Sequence, residues 1–167
     1  TEERLKEFVD RYPDRIIGFG SVNPNRGPKY VAEKLQKIRD FGFRGIKLLP
    51  TIQFFNPNEE RMDQIYEFAA REGLVILMHT GCDPGLWEYV EVSQDANPLH
   101  LDRVAERYPE LKIIGAHMGC YSARKPGIWF KEMMYVASKH PNVYVDTAAL
   151  GGPEVYLDVA VQWIGAD

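Results

Sequence analysis

Two histidines give the first chemical signal in this chain. His79 and His117 each close a short apolar run, Leu74-Val-Ile-Leu-Met-His79 and Lys112-Ile-Ile-Gly-Ala-His117, and each is followed by one residue and then a glycine. If the two runs are neighbouring parallel strands, their last residues lie about 5 Å apart laterally. Imidazoles that close can share one metal ion or one water, with metal–nitrogen distances near ~2.1 Å. A lone histidine ending a strand is more often a satisfied structural residue. Two matched ones point to a common site.

Lys47 is the next candidate, set inside the apolar run Arg44-Gly-Ile-Lys-Leu-Leu49. An amine there must face a polar cavity or find a partner. It could grip a substrate carboxylate, act as a base with a lowered pKa, or bridge two metals once carbamylated; the plain alternative is a lysine reaching water at its strand end. Asp146 closes Asn142-Val-Tyr-Val-Asp146, where it could contact substrate, orient a neighbour or bind metal, or simply cap a helix. His-x-x-Cys occurs twice, as His79-Thr-Gly-Cys82 and His117-Met-Gly-Cys120, so a four-ligand zinc site can also be drawn. His100 and His140 sit at helix-like termini and read as dipole partners.

These residues need a frame that aims them at one end. The runs at 74–79, 112–117, 44–49 and 142–147 share their form with Arg15-Ile-Ile-Gly-Phe-Gly20: a polar start, a β-prone middle and a polar or glycine end. Their first residues are Arg15, Arg44, Leu74, Lys112 and Asn142, at intervals of 29, 30, 38 and 30. Near-continuous Val/Ile/Leu character is what strands buried on both faces look like. Between them lie helical patterns: Pro28 to about Phe41, Glu59–Glu72 capped by Asn58 and stopped by Gly73, Leu99–Tyr108, Pro126 to about Lys139, and Glu154–Ile164. A further helix, Glu2–Tyr12, opens the chain. Strand–helix alternation at a ~30-residue period predicts a (β/α)8 barrel with five of its eight strands present. The alternative is an open five-stranded doubly wound sheet. The long interval places extra residues after His79, in Thr80–Asn97, where a parallel fold keeps its substrate contacts; Trp87 is the expected contact there, with Tyr89 beside it.

The 167 residues suit one domain or part of a larger one, and 45% hydrophobic with 26% charged residues are ordinary for a packed core. A net charge of −4 without a basic block argues against nucleic acid and anionic membrane as partners. No apolar run approaches the length of a membrane span. Two cysteines are too few for a disulfide framework, so a reducing, cytoplasmic setting is expected. Thr1 is not an initiator Met, and a longer natural protein is expected.

Four segments carry a family resemblance: Gly-Phe-Arg-Gly-Ile-Lys-Leu (42–48), Val-Ile-Leu-Met-His-Thr-Gly (75–81), Pro-Leu-His-Leu-Asp-Arg-Val-Ala-Glu-Arg-Tyr-Pro-Glu-Leu-Lys-Ile-Ile-Gly-Ala-His-Met-Gly (98–119) and Pro-Asn-Val-Tyr-Val-Asp-Thr (141–147). In this order they resemble the amidohydrolase-related proteins, a group that includes aminocarboxymuconate-semialdehyde decarboxylase, resorcylate-type decarboxylases and dicarboxylate lactonases. The resemblance implies that residues 1–167 are the middle of a barrel, its strands three to seven. It implies that His79 is a metal ligand, and that His117 is a second ligand or a proton-transfer group. Lys47 would take a position that does not bridge metals in single-metal members. The family's His-x-His pair would precede Thr1 and its ligand Asp would follow Asp167, which is not itself that ligand. The implied cofactor is a divalent metal, zinc most often, and the implied substrate a small anionic molecule. The expected activity is hydrolysis of a small carboxylate, lactone or cyclic amide. Non-oxidative decarboxylation and a non-catalytic α/β binding module are the alternatives. A homodimer is the expected assembly of the complete protein, and the 167 residues alone are expected to be inactive.

Overall fold

The computed structural model describes residues 1–84, 87–148 and 153–166. Five parallel strands form one sheet: β1 (Phe19–Ser21), β2 (Gly45–Leu48), β3 (Val75–Gly81), β4 (Ile113–Tyr121) and β5 (Val143–Val145). Their spatial order is their chain order. A doubly wound sheet reverses direction at a switch point. Here no reversal occurs, so the open-sheet alternative falls and the sheet is a barrel wall.

The register explains how that wall is sided. Gly20, Ile46, Ile76, Ile113 and Val143 form one row across all five strands, and every member is buried. The next row, Ser21, Lys47, Leu77, Ile114 and Tyr144, ranges from half-buried to exposed. Successive side chains point to opposite faces. The helices therefore cover one face, and the second face carries Lys47 and, two residues beyond Leu77, His79.

The helices are α1 (Glu2–Arg11), α2 (Pro28–Asp40), α3 (Pro50–Gln53), α4 (Asp63–Glu72), α5 (Leu99–Arg107), α6 (Phe130–Lys139) and α7 (Pro153–Ile164). Val31, Leu35 and Ile38 of α2, Ile65 and Ala69 of α4, and Leu101 and Val104 of α5 recur at three- and four-residue spacing and are buried with the first row. Each of the Val, Leu and Ile side chains contributes about 1.5–3 kcal/mol of burial. Cross-links between adjacent helices are polar: Arg107 to Asp63 at 2.8 Å, and Lys139 and His140 to Asp102, both at 2.7 Å. No helix among the described residues is long and apolar enough to cross a membrane.

Several boundaries differ from the sequence reading. The run at 15–20 pairs only from Phe19, and Ile17 is exposed. The helix expected over 59–72 begins as a 3-10 turn, Glu60–Met62, and becomes α-helical at Asp63. Asn58 does not cap it, because its amide is turned to the His100 ring at 3.2 Å. The helix expected from Pro126 starts at Phe130. Asp167, after which the resemblance puts the family's ligand Asp, lies outside the described residues, as do Gly85 and Leu86 of the loop after His79.

Candidate active site

The site is built on an irregularity between β3 and β4. His79 pairs with Ala116, and the next register pair is Gly81 with Tyr121, so three extra residues are taken up on β4. Counting from Ile114, His117 would face the helices. Instead His117, Met118 and Gly119 all adopt left-handed backbone, with φ of 67°, 51° and 72°. That turn swings the His117 ring to 5.2 Å from the His79 ring, centroid to centroid. Left-handed conformation costs roughly 1–3 kcal/mol at a non-glycine residue and persists only where the surroundings over-determine it. Here Thr80 does so: its hydroxyl donates to the Ala116 carbonyl and accepts the Gly119 N–H at 3.0 Å. Asp146 adds a second tie, accepting the His117 N–H at 2.8 Å and the Ala148 N–H at 3.1 Å.

Tyr121 closes the cluster. Its ring lies 5.2 Å from that of His79 and 5.3 Å from that of His117. Burial pushes its phenol up, and the charges of Asp83 and Glu88 push the same way. Both acids come from the loop after His79. Glu88 folds back through a bridge to Pro84 and places Oε1 2.8 Å from His79 Nε2, while its Oε2 accepts the Asp83 N–H at 3.0 Å. Burial pushes the Glu88 carboxyl up, but its hydrogen bonds to His79 and to the Asp83 N–H outweigh this and hold it below its usual range. Asp83 is fully buried, and neither of its carboxylate oxygens has a hydrogen-bond partner among the described residues.

His117 has a defined tautomer. Its Nδ1 faces the Ala148 carbonyl, which can only accept, so Nδ1 carries the hydrogen and Nε2 the lone pair. Burial pushes the imidazole below its ordinary value; the Ala148 bond opposes this, and the nearby His79 and Lys47 reinforce it. Lys47 is half-buried on the same face, and burial pushes its ammonium down to about 8, with Asp146 partly offsetting.

The structure thus brings together His79, His117, Asp146 and Lys47 from the sequence-derived candidates. It does not bring Trp87 to them: the residue is 68% exposed, and its backbone N–H donates to the Asp83 carbonyl at 3.5 Å. Its neighbour Tyr89 pairs with Phe54 at 4.9 Å on the outer side of the loop. Sequence reasoning missed Glu88, Tyr121 and Thr80. A carboxylate in a long loop after a strand-end histidine was a usable signal for Glu88; nothing local marked Tyr121, which the bulge alone brings into place. His100 and His140 lie elsewhere, bonded to Asn58 and Asp102.

Among the described residues, no group of three or more His, Cys, Asp or Glu could hold a metal ion. The four-residue zinc site drawn from the repeated His-x-x-Cys is therefore not formed. Both cysteines are buried and neither is in a disulfide, and burial, then the Glu88 charge, pushes the Cys82 thiol up to about 11.

The amidohydrolase family model matches residues 1–167. The chain belongs to the amidohydrolase family. Among solved structures it is similar to a TIM-barrel protein of Bordetella bronchiseptica, with 23% identity and TM-score 0.76 over 98% of this chain and 56% of that one. It is also similar to the 5-carboxyvanillate decarboxylase of Novosphingobium aromaticivorans, solved with manganese and 4-hydroxy-3-methoxy-5-nitrobenzoic acid (22% identity, TM-score 0.69, 98% and 55% covered). A third is the 2,6-dihydroxybenzoate decarboxylase of Rhizobium (18% identity, TM-score 0.66, 98% and 61% covered). These likenesses place the five-stranded sheet within a TIM barrel. The amidohydrolase chain described here spans a little over half the length of those relatives.

Proposed function

We propose that this amidohydrolase-family chain supplies the central wall and half of the active site of a metal-dependent hydrolase acting on a small carboxylate, lactone or cyclic amide. The observation that carries the reading is the pair His79 and His117, turned toward each other by a strained bulge with lone-pair nitrogens available. The donor chemistry fits a divalent ion in part. Two imidazoles are suitable ligands for zinc or manganese, and the orphaned Asp83 carboxylate is the kind of uncompensated buried charge that a cation offsets. The remaining ligands would come from residues outside the chain. His79 would hold the ion, with His117 as second ligand or proton carrier; zinc is the reading the imidazoles favour.

When bound, the ion lowers the pKa of a coordinated water and polarises a carbonyl. The residues of this chain do the rest. His117 accepts a proton at Nε2, and the Ala148 carbonyl holds its Nδ1–H, so the ring is poised as a base. Lys47 grips the anionic end of the substrate as a point charge. Asp146 fixes the backbone on which His117 rides, within reach of substrate, and Trp87 offers an open aromatic surface at the loop tip. A cytoplasmic location and a homodimer belong to the same reading.

A second reading is non-oxidative decarboxylation. It is favoured by the likeness to two aromatic-acid decarboxylases, one solved with manganese and a nitrobenzoate. The test is to purify the full-length protein, measure its metal by elemental analysis and assay it against lactones, cyclic amides and aromatic carboxylates. Hydrolysis with stoichiometric metal supports the first reading; carbon dioxide release without hydrolysis supports the second. Metal content near zero in a well-folded protein leaves the non-catalytic binding module.

A further inference from the structure

We infer that Glu88 is the positioning residue for His79: its carboxylate takes the Nε2–H and leaves Nδ1 as the electron-pair donor of a ring packed beside His117 and Tyr121. The ligand role of His79 rests on the function proposed above; the tautomer does not.

The argument is one of donors and acceptors. A carboxylate is acceptor-only, with two oxygens to satisfy. Glu88 Oε2 is taken by the Asp83 N–H at 3.0 Å. Oε1 stands 2.8 Å from His79 Nε2, so that nitrogen must carry the hydrogen. Both side chains are buried, so no water competes for either atom. On a neutral ring with hydrogen on Nε2, the lone pair is on Nδ1, which makes no hydrogen bond among the described residues. His79 is flanked by His117 and Tyr121 at 5.2 Å each, so Glu88 holds one ring nitrogen while the other ring contacts are to aromatic side chains. Histidines that bind metals are generally held this way, with the second ring N–H given to a carboxylate. Loss of that partner typically weakens metal binding ~10–100-fold.

Among the described residues of the loop, no other acid is bonded to His79. Asp83 uses its backbone to hold Glu88, and its carboxylate makes no hydrogen bond among the described residues. The bridge between Pro84 and Glu88 sets the distance at which the acid returns to the ring. Glu88→Gln changes the arithmetic while keeping the shape. Glutamine has one acceptor and one donor end. If its oxygen stays on the Asp83 N–H, its amide faces Nε2 as a donor and drives the ring hydrogen to Nδ1.

The experiment uses the full-length protein, metal-free and labelled with 15N-histidine, and reads the ring nitrogens by long-range 1H–15N correlation. His79, assigned by loss of its signal in His79→Gln, is expected as the Nε2–H tautomer. Glu88→Gln is expected to shift it toward Nδ1–H and to weaken zinc binding, measured by chelator competition, ~10–100-fold at an unchanged melting temperature. A wild-type ring protonated at Nδ1 overturns the assignment without any variant being needed, as does Glu88→Gln with the wild-type tautomer and unchanged zinc affinity. Nε2–H in a wild-type protein that binds no zinc upholds the Glu88 assignment and removes the ligand role of His79.

Discussion

The carboxylate of Asp146 accepts the backbone N–H of His117 at 2.8 Å, while the ring Nδ1 of the same histidine stands 3.9 Å from it. Asp146 therefore secures the main chain at the bulge, and the Ala148 carbonyl secures the ring. Because its Oδ1 also accepts the Ala148 N–H, one oxygen pins both supports of His117. Asp146→Ala is expected to cost roughly 1–3 kcal/mol of stability, the usual penalty for stranded backbone donors. Asp146→Asn keeps an acceptor oxygen and should lose about half as much or less. Urea denaturation of the full-length protein, paired with turnover, measures both. Equal losses in the two variants would show that the charge matters more than the hydrogen bonds.

Gly119 is the least replaceable residue of the bulge. Its φ is +72°, and an added Cβ would meet the Trp129 carbonyl oxygen at 2.4 Å, a backbone atom that cannot step aside. Gly119→Ala should cost about 2 kcal/mol or more through strain and overpacking together. It should also reduce activity, because the same shift displaces His117. Thermal melting checks the first effect and kcat/KM the second; an Ala variant with wild-type melting would mean that the left-handed turn is not needed.

Lys47 makes a pH prediction with a definite sign. Its ammonium is pushed down to about 8 in the folded chain against 10.5 as the ordinary value, by burial. Between those two values the unfolded chain holds a proton that the folded chain has released, so stability rises with pH through that window. Below about 8 both forms are charged and the fold bears the full burial penalty. Lys47→Met should remove this rise and be the more stable protein at neutral pH. Denaturation midpoints taken across the window test it, and parallel curves for the two proteins would refute it.

The sheet was legible because its strands are apolar along most of their length: the five runs, their order and their spacing read as a parallel sheet, although only the helix-covered face is fully buried. Lys47 and His79 were legible for the same reason, as polar residues where the pattern forbids them. His117 was found by a count that turned out to be one step off, since Ala116 is the true partner of His79. What rescued it, three consecutive left-handed residues, has only Gly119 as its mark, and Met118 gives no hint of such a backbone. Glu88 carried one mark only, that of a carboxylate in the long loop after His79. Its place is decided by a return of the loop onto His79, and contacts of that kind depend on loop geometry rather than on period.

That loop has a consequence for how often the site is ready. Cys82, Ala96 and Trp129 pack in a small cluster of their own, with Ile128 against it, separate from the main core under the sheet. Segments with few apolar contacts open locally at lower free energy than the strands they adjoin. The Glu88–His79 pair is thus governed by a local equilibrium of the loop, while Lys47 and the bulge are governed by the global one. A molecule in which the loop opens keeps its barrel wall but leaves His79 unaimed, and under the proposed function its share of the population would lower the apparent affinity for ion or substrate. Substitutions that enlarge the Cys82–Trp129 cluster could then raise turnover without touching a single reacting group.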